Sequence, residues 1–167
     1  EYTRLGSAAQ RDITRRAAFQ PVMTIYRTMA NLNYVDNTLD PSPRGYGSLL
    51  SDRPDLMNFQ LTGFGRVQTP DAWLSTWSGL SSNANLLNNG PAITEPVVVV
   101  NAGRDLDVYP RTHSRAIFDA LASTDKTFLD FPDRLHYFEP DEGEADNAGA
   151  QAQLAQLVPW LQARMPL

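Results

Sequence analysis

Four consecutive valines, Val97 to Val100, constrain this chain more than any other feature. Valine is β-branched and favours extended backbone, and a run with no polar face suits a strand covered on both sides, as in a parallel sheet. The segments that follow repeat a pattern. Pro110 opens a helix to about Ser123, with Ile117, Ala120 and Leu121 as its buried stripe. Lys126 to Phe131, KTFLDF, reads as a second strand. Asn147 to Met165 reads as a terminal helix whose stripe is Leu154, Leu157, Val158, Leu161 and Met165, kinked at Pro159. Strand, helix, strand, helix is a βαβ unit with one more helix, so the expected class is α/β. Two parallel strands do not make a stable open sheet, so the remaining strands are expected from polypeptide outside this sequence.

The first half reads differently. From Ser7 to Leu32 the pattern is helical, with Ile13 and Ala17 on one face and Val22, Tyr26 and Met29 on another, and Pro21 interrupts it. Residues 33–69 read as a connector, because Asp40-Pro41-Ser42-Pro43 and Gly45-Tyr46-Gly47 are turn signals. Thr69-Pro70-Asp71 marks a helix start: a hydroxyl cap, proline at the first helical position, then an acid in the first turn. That helix carries Trp73, Leu74 and Trp77, and a second short helix is expected over Asn83 to Asn88.

Composition excludes some functions. The hydrophobic share of 42% and charged share of 20% are ordinary for a globular protein. The net charge of −5, with basic residues scattered, argues against a nucleic-acid partner, which requires a basic stripe. The longest purely apolar run is the valine run, far short of the roughly 20 residues of a membrane span. With no cysteine there is no disulfide and no thiolate chemistry, and the compartment stays open. The start at Glu1, without an initiator methionine or signal-peptide layout, reads as a processed or truncated one.

Two loops carry candidate chemistry. Asn101 to Pro110 follows the valine strand and holds Asp105; Phe131 to Pro140 follows the second strand and holds His136. Ligands of open parallel sheets bind beyond the carboxyl ends of the strands, so Asp105 and His136 are expected to meet at one edge. Histidine takes and returns a proton near neutrality, while a buried carboxylate fixes its tautomer. Asp107 is the rival acid, but Asp105 lies nearer the strand end and leaves Asp107 free to cap the following helix. His113, in the first turn of a helix where a cation is disfavoured, reads as structural or exposed. The acidic run Glu139, Asp141, Glu142, Glu144 and Asp146 lacks the spacing of a calcium loop and reads as a solvated segment, so no metal is expected.

The last seventy or so residues resemble the C-terminal end of α/β-hydrolases. In that family an aspartate follows the penultimate core strand, often with a proline soon after, as in Asp105 to Pro110. The histidine follows the last strand and precedes a C-terminal helix, as His136 does. The order acid then histidine agrees with the family's nucleophile, acid, histidine. The stretch Arg66 to Ala84 resembles part of a helical cap. The resemblance implies residues 1–92 as a mainly helical cap and residues 93–167 as the C-terminal part of the core of a mostly parallel sheet. It implies Asp105 and His136 as catalytic, Trp77 and Tyr137 beside the substrate, no cofactor, and a small-molecule substrate, a carboxylic ester or related acyl compound. The family's G-x-S-x-G elbow is absent from this sequence. The nucleophile is therefore expected on an upstream segment or a second chain. The alternatives are a noncatalytic α/β-hydrolase-like module, or an epoxide hydrolase or dehalogenase with an aspartate nucleophile.

Overall fold

A computed structural model of the chain describes residues 10–12, 22–25, 31–57 and 67–165. Its centre is a parallel pair of strands, β3 (Val97–Ala102) and β4 (Lys126–Phe131), in register from Val97 opposite Lys126 to Ala102 opposite Phe131. The second pair, β1 (Met23–Thr24) and β2 (Val67–Gln68), is antiparallel and two residues long. The chain thus has the mixed helices and small sheets of the broad α/β class. Among the described residues, β3 and β4 have no further strand beside them, and Val97 to Val100 are only half-buried.

Between β3 and β4 the chain makes one π-helical turn, Pro110–Arg115, which continues as the helix Ala116–Ala120. Side chains join this crossover to the sheet. Lys126 Nζ donates to the carbonyls of Phe118 at 2.9 Å and Leu121 at 2.8 Å, satisfying acceptors at the helix end. Phe118 packs edge-on against Phe128 at 5.3 Å, and the Arg115 guanidinium lies over both rings. The terminal helix, Ala148–Gln162, runs through Pro159 and is anchored by Trp160 Nε1, which donates to Thr127 Oγ1 at 2.9 Å. Arg164 adds a paired contact to Asp125, with Nε at 2.8 Å from Oδ2.

Two expectations change. Trp160 and Arg164 turn the terminal helix so that Leu154, Val158, Leu161 and Met165 are exposed instead of facing the sheet. Met23–Thr24 is extended, paired with Val67–Gln68, and so breaks the helical reading of Ser7 to Leu32. The other positions on which that reading rested, including Ile13, Ala17, Tyr26 and Met29, lie outside the described residues, as does Arg66 of the cap resemblance. Residues 31–57 are mostly turns, with one 3-10 turn at Leu32–Tyr34 and one α-turn at Pro54–Met57. Their prolines and their short side chains, which bond nearby backbone as Asn31 and Ser48 do, favour turns over a continuous helix. Farther on, Thr69 caps the helix Pro70–Thr76 through the amide of Ala72, and Asn85 caps Leu86–Asn89.

Residues 31–57 reach the crossover from outside it. The fully buried Asp40 accepts from the amides of Arg111 (3.1 Å) and Thr112 (2.8 Å) and from the Thr112 hydroxyl (2.8 Å). A residue distant in sequence thereby caps the turn that Pro110 opens. The same turn was expected to use Asp107. Instead Asp107 Oδ1 is buried with no hydrogen-bond partner among the described residues.

Candidate active site

The acid loop begins where β3 ends. Gly103 is required there, because a Cβ at that position would stand 2.4 Å from the Pro132 carbonyl oxygen. Past Gly103 the chain turns back, the Asp105 amide donating to the Ala102 carbonyl at 3.2 Å. The Asp105 side chain is then enclosed. Its Oδ1 accepts from the amides of Asp107 (2.8 Å) and Val108 (2.9 Å), leaving Oδ2 free to face across the sheet edge.

The histidine loop supplies the other half. Phe138 adopts a positive φ of 58°, uncommon for a residue with a Cβ. Its ring packs on Phe131 at 5.2 Å, and its amide donates to the Leu135 carbonyl at 3.0 Å. These contacts close a turn that contains His136. Gly149 permits the terminal helix to pass beneath, because a Cβ there would meet the Phe138 carbonyl oxygen at 2.1 Å.

The two loops bring Asp105 Oδ2 to 2.7 Å from His136 Nδ1. The Asp105 side chain is 7% exposed and that of His136 27%. Because the carboxylate takes the Nδ1 proton as its hydrogen-bond donor, the network assigns the neutral ring the tautomer with a lone pair on Nε2. A cavity of about 410 Å³ borders the pair, lined also by Val100, Ala102, Ser114, Tyr137, Phe138 and Gln153. An imidazole so held can accept a proton at Nε2 while the carboxylate stabilises the cation that forms.

Tyr137 stands beside the pair, its ring edge-on to the imidazole at 4.6 Å and largely exposed. Trp77 is not brought there. It lines a separate cavity of about 610 Å³ with His113 and Ile117. His113 has its own partner, since its Nδ1 accepts from the Tyr109 amide at 3.3 Å. Tyr109 is fully buried between Tyr34, His113 and the Arg44 guanidinium. Burial pushes its phenol above the ordinary range, with Tyr34 and Asp107 adding to the effect, so it stays protonated.

Two arginines at this edge escaped the sequence reading. Arg104 pairs with Asp141 and Arg134 with Glu144, so part of the acidic run is bound to the two loops instead of being merely solvated. Adjacency to Asp105 was the one available signal for Arg104. Among the described residues, no helix is long and apolar enough to cross a membrane. No protein-family model, no curated protein and no solved structure matches this chain.

Proposed function

We propose that this chain carries the acid and the base of a hydrolytic triad in an α/β-hydrolase fold, acting on a carboxylic ester or related acyl bond. The observation that carries the reading is the 2.7 Å contact between Asp105 Oδ2 and His136 Nδ1 beyond the carboxyl ends of two parallel strands. Ligand sites of parallel sheets lie at that edge, and a buried carboxylate on Nδ1 is the orienting half of such a triad. Asp105 holds the tautomer, and His136 Nε2 removes the proton of a hydroxyl nucleophile, then returns it to the leaving group. No cofactor enters this chemistry.

The nucleophile is assigned to polypeptide outside residues 1–167, because no G-x-S-x-G elbow occurs in the sequence. The same assignment accounts for the half-buried valines of β3 and for the exposed stripe Leu154, Val158, Leu161 and Met165, which further strands and helices would cover. Tyr137 is positioned to touch a substrate, whereas Trp77 belongs to the other cavity.

Hydrolysis of a small activated ester by the complete protein tests the reading. His136→Ala should cost on the order of 10⁴-fold in kcat with the fold intact, and His113→Ala almost nothing. The 167-residue chain alone should be inert. Unchanged turnover in the His136 variant would overturn the reading. Turnover of an epoxide or haloalkane in place of the ester would instead assign an aspartate nucleophile, and no turnover of any of these a noncatalytic module.

A further inference from the structure

We infer that Arg104 is a positioning residue that latches the acid loop to the histidine loop and so sets the Asp105–His136 contact. The inference rests on the triad reading and extends it to a residue that touches neither reacting atom. Arg104 immediately precedes Asp105, and its guanidinium crosses to the other loop. There Nη1 donates to both carboxylate oxygens of Asp141, each at 2.9 Å, and to the Asp133 carbonyl at 3.2 Å. These acceptors lie on either side of His136 in sequence, three residues before it and five after. The Arg104 amide also donates to the Arg134 carbonyl at 2.9 Å. One residue therefore holds the histidine loop at three points.

The acceptor end is itself fixed. Glu144 accepts from Arg134 Nη1 at 2.5 Å and Nη2 at 3.1 Å, and its Oε2 also accepts from the Asp141 amide at 3.1 Å. The hydrogen bond from Arg134 holds the Glu144 carboxyl below its ordinary range. Partly exposed ion pairs contribute little to global stability. Their effect here is geometric: without Arg104, the histidine turn keeps its own Leu135–Phe138 hydrogen bond but loses its side-chain anchor to the acid loop. A guanidinium presents its donors in a rigid planar fork, whereas an ammonium is a compact point charge on a flexible stem and holds the same acceptors less firmly.

Nitrogen-15 NMR of the two histidine side chains tests this without an activity assay, and His113 serves as the internal reference. In the wild-type protein His136 should be in the Nδ1-protonated tautomer with a protected low-field Nδ1 proton. Arg104→Met and Asp141→Ala should each lose that proton signal and mix the tautomers, with His113 unchanged. Arg104→Lys should restore part of the signal. Wild-type behaviour of His136 in both Arg104→Met and Asp141→Ala would overturn the latch. If Arg104→Met also disturbs His113, the fold has suffered and Asp141→Ala decides. Absence of the Nδ1-protonated tautomer in the wild-type protein would instead overturn the Asp105–His136 reading beneath it.

Discussion

Gly103→Ala strikes the point from which the Asp105 and His136 loops diverge. An alanine Cβ there would lie 2.4 Å from the Pro132 oxygen, 2.5 Å from its Cα and 2.7 Å from its carbonyl carbon. Carbon atoms rest at about 3.5–4.0 Å, so the two segments must part by roughly 1 Å. All three obstructing atoms belong to Pro132 at the root of the histidine loop, so no side-chain rotation relieves the clash. Two hydrogen bonds cross at the same place, Gly103 N to the Phe131 carbonyl at 2.8 Å and Arg104 N to the Arg134 carbonyl at 2.9 Å. Stretched by about 1 Å, both fall outside bonding range. Each contributes about 0.5–1.5 kcal/mol, and overpacking against backbone adds about 1–3 kcal/mol. The expected destabilisation is therefore about 2–6 kcal/mol, a large share of the roughly 5–15 kcal/mol typical of folded domains. Urea unfolding with an unchanged m-value measures it. Gly79→Ala is the control, because its Cβ would meet nothing within 4 Å and should shift stability by no more than about 0.5 kcal/mol. A Gly103→Ala change as small as the control's would refute the steric reasoning.

Asp40→Ala removes the distant cap of the Pro110 turn and should destabilise by about 1–3 kcal/mol in the same urea assay, while Asp40→Asn should retain part of the cap. Trp160→Phe deletes the Thr127 hydrogen bond that anchors the terminal helix and should cost about 0.5–1.5 kcal/mol, read from the urea midpoint. Hydrogen bonds from Arg164 and Arg134 hold the carboxyls of Asp125 and Glu144 below their ordinary range. Depressed carboxyl pKa values give stability that is present above the ordinary range, near pH 4, and lost as pH falls through the folded values. Stability should therefore decline in acid below about pH 4, and Asp125→Asn should flatten its share of that decline in a pH series of unfolding curves.

What the sequence made legible was local chemistry. Lys126 to Phe131 read as a strand, and β4 has those limits. The valine run marked β3, but Asn101 and Ala102 carry no strand signal and join it by pairing with Asp130 and Phe131. Thr69 and Pro70 announced their helix because a cap acts within one turn. Asp105 and His136 were legible as strand-end residues, since parallel strands carry both loops to one edge. Contacts made at long range were not. Nothing near Asp40 points to Arg111, 71 residues away, and nothing near Arg104 points to Asp141. Periodicity identified the apolar stripe of the terminal helix, but it is silent on whether a partner covers that stripe, and Trp160 and Arg164 decide which side meets β4. Trp77 illustrates the same limit: the Thr69-Pro70-Asp71 start placed it on a helix, which it closes as the C-cap, but only the fold assigns it to the His113 cavity.

The pairing of His136 with a nucleophile from outside this chain is tested most directly by covalent trapping. The complete protein is treated with a fluorophosphonate, the adduct is mapped by peptide mass spectrometry, and the labelling rate is compared with that of His136→Ala. The expected result is one adduct on a serine outside residues 1–167, formed orders of magnitude more slowly in the variant, because the base that activates the serine is gone. An adduct formed equally fast without His136 would contradict the assignment of the base. An adduct on a serine of this chain, such as Ser114 on the same cavity, would contradict the assignment of the nucleophile.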